Sequence, residues 1–92
     1  GLRTYNINIK DIEDVSKGNR TSTVMLYTGY GDNYTENDLH DISISGIHSR
    51  FSKYAVYINT KVDNVIISDM IQDNPEGSQF EFAYPEGITV NN

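Results

Sequence analysis

The chain carries a short pattern of alternating apolar residues that recurs after 23 residues. The segments DISISGIHSR (residues 41–50) and DNVIISDMIQ (residues 63–72) each contain two apolar residues two positions apart and a third one three positions later. Matching residues, such as Ile44 and Ile67, are 23 positions apart. A repeat of this length is typical of a solenoid, because one unit cannot bury its own apolar face and must stack on the next unit.

The same alternation marks four places along the chain. Its first apolar position is occupied by Ile7, Ile42, Val65 and Ile88, and its second by Ile9, Ile44, Ile67 and Val90. Each of the four segments follows a good turn former, namely Asn6, Asp41, Asn64 or Gly87. Alternation over four or five residues predicts a half-buried strand, and no set of apolar residues keeps a helical spacing for three turns.

A second set of short strand-like segments lies between these four. We predict strands near residues 22–27, 54–59 and 78–84, with apolar side chains directed inward. Those side chains are Val24, Leu26, Val56, Ile58, Phe80 and Phe82. Stacked repeats of this kind form a continuous core and pair their strands in parallel.

We therefore predict an all-β fold, a parallel β-helix with coils of about 23 residues. Ninety-two residues form one domain at most, so residues 1–92 are expected to be a single domain. The predicted coils are residues 7–41, 42–64 and 65–87, and a further strand begins at 88–92. The first coil is longer because it contains a loop insertion at 28–40.

An antiparallel β-sandwich is the alternative fold. Seven short strands in about ninety residues also fit that architecture. However, a sandwich does not explain two consecutive intervals of 23 residues, and the Asn-Gly dipeptide favoured in tight hairpins is absent.

The stretch YAVYINTKVDNVIISD, from Tyr54 to Asp69, carries a resemblance to a known family. An aromatic residue, two alternating apolar residues, a polar turn with Asn and then the next strand resemble a coil of the pectate-lyase-like, right-handed parallel β-helix proteins, which include bacteriophage tailspikes. The resemblance covers residues 6–91. It implies an extracellular or virion protein that acts on polysaccharide. Because a solenoid needs capping elements at its ends, we also expect further coils of a longer parent protein, or other copies in a homo-oligomer such as a trimer.

Composition excludes several classes of function. The chain has no cysteine and a formal net charge of −6. It therefore lacks the thiolates of common zinc sites, and its charge repels the phosphate backbone of a nucleic acid. No apolar run is long enough to span a membrane, and we expect no cofactor.

The insertion at 28–40, with Tyr27 at its base, holds the candidate ligand-binding residues. Aromatic rings and carboxylates alternate along TGYGDNYTENDLH, and this combination suits sugars, whose rings stack on aromatic faces and whose hydroxyls need acceptors. The candidate residues are Tyr27, Tyr30, Asp32, Tyr34, Glu36, Asp38 and His40. Calcium is an alternative ligand for the acidic residues, although the segment lacks the Gly and Glu spacing of an EF-hand.

The predicted function is recognition of a glycan or cell-surface polysaccharide by a segment of a phage-tail-like or secreted β-helix protein. One alternative is that the chain forms part of the catalytic β-helix of a polysaccharide lyase or hydrolase. No acidic pair suited to hydrolysis is singled out by spacing, and no motif matches the arginine base of the resembling lyases, so catalytic residues stay unassigned. The other alternative is a structural or assembly module without a ligand.

Overall fold

The structure consists of strands and the short segments that connect them. The computed structural model describes residues 4–15, 22–27 and 39–91. Its strands are β1 (Thr4–Glu13), β2 (Ser22–Leu26), β3 (Leu39–Ser49), β4 (Tyr54–Ile58), β5 (Val62–Gln72), β6 (Ser78–Phe82) and β7 (Ile88–Asn91). The described residues contain no helix, so the predicted all-β class is confirmed.

The seven strands form two sheets in which every pairing is parallel. The order is β1-β3-β5-β7 in the four-stranded sheet and β2-β4-β6 in the three-stranded sheet. Successive strands of the chain therefore alternate between the two sheets. Parallel pairing contradicts the antiparallel sandwich, which was the alternative prediction.

The register follows the repeat read from the sequence. Ile42 pairs with Ile7 on one side and with Val65 on the other, and Val65 pairs in turn with Ile88. The second predicted column, Ile9, Ile44, Ile67 and Val90, is also aligned. The interval of 23 residues is thus the distance along the chain from β3 to β5 and from β5 to β7, whereas β1 and β3 are 35 residues apart.

Two columns of residues with left-handed backbone angles divide the long strands. The first column is Asn6, Asp41, Asn64 and Gly87, with φ of 55°, 56°, 52° and 81°. The second column is Asp11, Gly46 and Asp69, with φ of 58°, 64° and 55°. Gly, Asn and Asp are the residues that enter this region most easily. The second column interrupts the in–out alternation, which explains why Ile47 follows Ile44 by three positions.

The core lies between the two sheets. Ile44, Ile47, Val56, Val65 and Ile67 are fully buried. Val24, Leu26, Ile58, Phe80 and Phe82, predicted to point inward, belong to this cluster or pack against it.

Burial decreases toward β1 and β7, the two edge strands of the described four-stranded sheet, which we call the large sheet. Ile12 in β1 is 38% exposed and Val90 in β7 is 39% exposed. Val90 belongs to the second predicted apolar column, which we expected to lie on the inner side. A strand with a neighbour on one side only covers its apolar residues less completely, which accounts for the difference.

Candidate functional site

A shallow concavity lies on the outer side of the four-stranded sheet, beside the first column of left-handed residues. Its volume is ~310 Å³, and the residues that line it are Asn6, Ile7, Asp41, Ile42, Ser43, Asn64 and Ile66. β1, β3 and β5 each contribute to it, because the parallel register brings equivalent positions of three repeats side by side.

The carboxylate of Asp41 lies in the middle of this column. Nδ2 of Asn64 donates a hydrogen bond of 2.7 Å to its Oδ1, and Nδ1 of His40 lies 2.7 Å from its Oδ2. The hydrogen bond from Asn64, followed by that from His40, lowers the pKa of Asp41 below its ordinary value. Asp41 is therefore an ionised, exposed acceptor whose two oxygens each keep a lone pair for another donor.

A pair of stacked rings lies next to two lining residues of the concavity, since Tyr5 precedes Asn6 and His40 precedes Asp41. Tyr5 and His40 pair across β1 and β3, and their ring centroids are 5.1 Å apart at an angle of 8°. The residue Tyr5 is 55% exposed, so much of its ring is open to solvent. The imidazole of His40 thus contacts both the Tyr5 ring and the Asp41 carboxylate, which brings an exposed aromatic ring near hydrogen-bonding groups.

The local sequence explains why polar groups gather here. A left-handed residue in each repeat must be Gly, Asn or Asp, and the first three positions of the column hold Asn, Asp and Asn. Neighbouring parallel strands are about 4.8 Å apart, so short polar side chains in one column can reach each other. The turn requirement thus creates a row of amide and carboxylate groups at the surface.

Only two of the predicted ligand-binding residues lie in the described part of the chain. Tyr27 follows β2 and is 39% exposed, whereas His40 lies within β3, in the other sheet. The predicted insertion at 28–40 therefore ends too late, because Leu39 and His40 already belong to β3. The other five, Tyr30, Asp32, Tyr34, Glu36 and Asp38, lie outside the described residues.

Several residues of the concavity were not predicted as ligand-binding residues. Asn6, Asp41 and Asn64 were recognised only as turn formers that precede the strands. Tyr5 was not singled out at all. The available signal was the register itself, which places Tyr5 beside His40 once the two strands are aligned.

A second polar cluster lies at the far end of the long strands. Nε2 of His48 contacts Asp73, its Nδ1 lies 3.9 Å from Glu13, and Nη1 of Arg50 lies 2.9 Å from Glu13. These side chains satisfy one another across three repeats. Exposed ion pairs of this kind contribute little to stability, and none of these four residues lines the concavity around Asp41.

The described part of the chain contains no group of three or more His, Cys, Asp or Glu side chains arranged to hold a metal ion. Nor do the residues in this part form a helix that is both long and apolar enough to cross a bilayer.

Comparisons with protein-family models, with curated proteins and with solved structures gave no match. Any functional conclusion therefore depends on the geometry of the chain itself.

Proposed function

We propose that this chain is a segment of a parallel β-helix whose outer sheet face binds carbohydrate at the concavity around Asp41. Alternation of successive strands between two parallel sheets, together with the 23-residue register, supports the β-helix. The observation that carries the carbohydrate proposal is the Tyr5–His40 stack beside the exposed carboxylate of Asp41.

The chemistry of the concavity suits a sugar better than an apolar ligand. An open, shallow surface accepts one face of a pyranose ring, whereas apolar ligands generally need a deeper pocket. Asp41 accepts hydrogen bonds from hydroxyl groups, and the exposed amides of Asn6 and Asn64 can both accept and donate. The side chain of Ile66 is 40% exposed and supplies apolar surface for the C–H groups of the ring.

Binding without cleavage is the form of the proposal that the site favours. Glycoside hydrolysis commonly needs two carboxyl groups that flank the scissile bond. Asp41 is the one carboxylate among the seven lining residues. A role within a catalytic β-helix would require a second acid from another part of a longer protein or from another copy.

Further coils, or other copies of the chain, are the proposed macromolecular partners. β6 and β7 are outer strands of their described sheets, and Phe80, Phe82 and Ile88 there are only partly buried. A strand added in the same register would cover them. Analytical ultracentrifugation of the 92-residue chain tests this proposal. Self-association that is abolished by Phe82→Glu would support it. A strictly monomeric wild-type chain would contradict the homo-oligomer.

The carbohydrate proposal is tested by a glycan array followed by calorimetry on the ligands found. Tyr5→Ala should weaken binding about two- to tenfold, since an aromatic stacking contact is worth roughly 0.5–1.5 kcal/mol. Tyr84→Ala is the matched control, because Tyr84 is also an exposed tyrosine (40%) but lies after β6, outside the concavity. Equal losses for the two variants, or binding to no glycan, would contradict the proposed site.

A further inference from the structure

The outer face of the large sheet carries a strong excess of negative charge. It corresponds to residues 5–11, 40–46, 63–69 and 88–91, which parallel pairing aligns, together with the turn residues 86–87 that precede β7. Their carboxylates are those of Asp11, Asp41, Asp63, Asp69 and Glu86, all exposed. Lys10 is the single lysine or arginine in these stretches. A ligand lying on this face therefore meets several negative charges and one positive charge.

These charges are placed where they would interact electrostatically with a ligand bound in the concavity. Asp41 lines the concavity, and Asp63 directly precedes the lining residue Asn64. Asp11 and Asp69 belong to the second left-handed column, at the other end of the short strands that form the face. Screening in physiological salt acts over about 8 Å, so the nearest of these carboxylates interact with a bound ligand and the more distant ones contribute less.

Hydrogen bonding also favours uncharged ligands over ligands with acidic groups. The lowered pKa of Asp41 keeps its carboxyl group ionised, and an ionised carboxylate only accepts hydrogen bonds. A sugar hydroxyl or amide N–H can donate to it. A ligand carboxylate or sulfate cannot donate and would be placed beside a like charge.

We infer that the ligand of this face is an uncharged glycan, built from neutral or N-acetylated sugars, and that uronic-acid and sulfated glycans are rejected. This inference rests on the proposed carbohydrate function and adds the chemical class of the ligand. It also separates this chain from binding proteins whose sites use cations to hold acidic polysaccharides.

The experiment compares matched glycans that differ only by an acidic group, on one array and then by calorimetry at low and high salt. The neutral member of each pair should bind at least tenfold more tightly at low salt, and the difference should shrink as salt is added. Asp63→Asn removes one charge outside the lining residues. It should reduce the affinity ratio between neutral and acidic glycans about threefold, which is the effect of one charge at about 6 Å in water.

Asp73→Asn is the control, because Asp73 lies with His48 and Glu13 at the far end of the long strands. It should leave the ratio between neutral and acidic ligands unchanged. Acidic glycans that bind as tightly as their neutral partners would overturn the inference while leaving carbohydrate binding intact. An array on which no glycan of any class binds would overturn the proposed function together with the inference.

Discussion

The backbone nitrogen of Ser52 donates a hydrogen bond of 2.8 Å to Oδ2 of Asp14, which lies 38 residues earlier in the chain. The backbone nitrogens of Arg50 and Phe51 also donate to this carboxylate, and so does the Ser52 hydroxyl, at 2.7 Å. Thr23 adds a longer bond of 3.3 Å. One buried carboxylate thus binds three of the four residues in the turn that links β3 to β4.

The carbonyl groups of the same turn are bound from the opposite side. Nδ2 of Asn74 donates to the carbonyl oxygen of Ser52 at 3.1 Å, and Nε2 of Gln72 lies 3.4 Å from that of Lys53. Asp14 belongs to the preceding repeat and Gln72 and Asn74 to the following one. The turn is therefore fixed between its two neighbours by side chains that match its donors and acceptors.

Replacing Asp14 should destabilise the protein strongly. Asp14→Ala leaves the N–H groups of the turn without their acceptor, and each unsatisfied buried donor costs about 1–3 kcal/mol. Because some of these groups can recover water, we expect a total loss of about 2–4 kcal/mol in the free energy of unfolding, measured by urea denaturation. Asp63→Asn, at an exposed position, should change it by less than about 0.5 kcal/mol. Similar values for both variants would show that the Asp14 contacts contribute nothing.

Stability should also fall in acid because of Asp14. Burial favours its neutral form, but the hydrogen bonds from Ser52, Arg50 and Phe51 outweigh burial and lower its pKa from the ordinary 3.8 to about 2. An acidic group whose pKa is lower in the folded state stabilises the fold at pH values above its pKa in the unfolded chain. That contribution, about 2 kcal/mol, is lost as the pH falls from about 5 to about 2. Unfolding free energies measured across this range should decline less steeply in Asp14→Asn than in the wild type.

The sequence predicted the apolar framework well because its signal is periodic. Ile44 and Ile67 align as expected, since stacked repeats place equivalent residues in one column. The contacts of Asp14 were not predictable in the same way. Its partners are mainly backbone N–H groups, which every residue except proline possesses. No pattern of side-chain types therefore predicts these contacts.

The candidate site was predicted only in part. His40 was identified, but as the end of an insertion and not as a strand residue stacked on Tyr5. Asp41 and Asn64 were identified as turn formers, and their second property, a hydrogen-bonded row at the surface, appears only when the repeats are aligned. A composition-based search favours residues that are close in sequence, whereas this site joins residues from three repeats.

The two sides of the central strand segment should respond oppositely to a new charge. Ile44 and Ile67 are fully buried, so Ile44→Asp or Ile67→Asp places an unpaired carboxylate in the core and should unfold the protein. Ser43→Asp introduces the same side chain one position away, at an exposed site, and should be tolerated. Circular dichroism melts of the three variants distinguish these outcomes. If all three melt like the wild type, the assignment of inner and outer faces is wrong.

The last left-handed position should tolerate no side chain. Gly87 has φ of +81°, and a Cβ atom there would overlap the carbonyl oxygen of Val62. Gly87→Ala should therefore cost at least about 2 kcal/mol, from the left-handed strain of an L-residue and from the overlap.

The backbone nitrogen of Val65 donates to the carbonyl oxygen of Gly87 at 2.9 Å, so release of β7 should expose that amide. Hydrogen exchange at Val65 should accelerate in Gly87→Ala and stay unchanged in Glu86→Ala, which alters the exposed neighbouring residue of the same turn. Val65 protection that survives Gly87→Ala would contradict the close contact between this turn and β5.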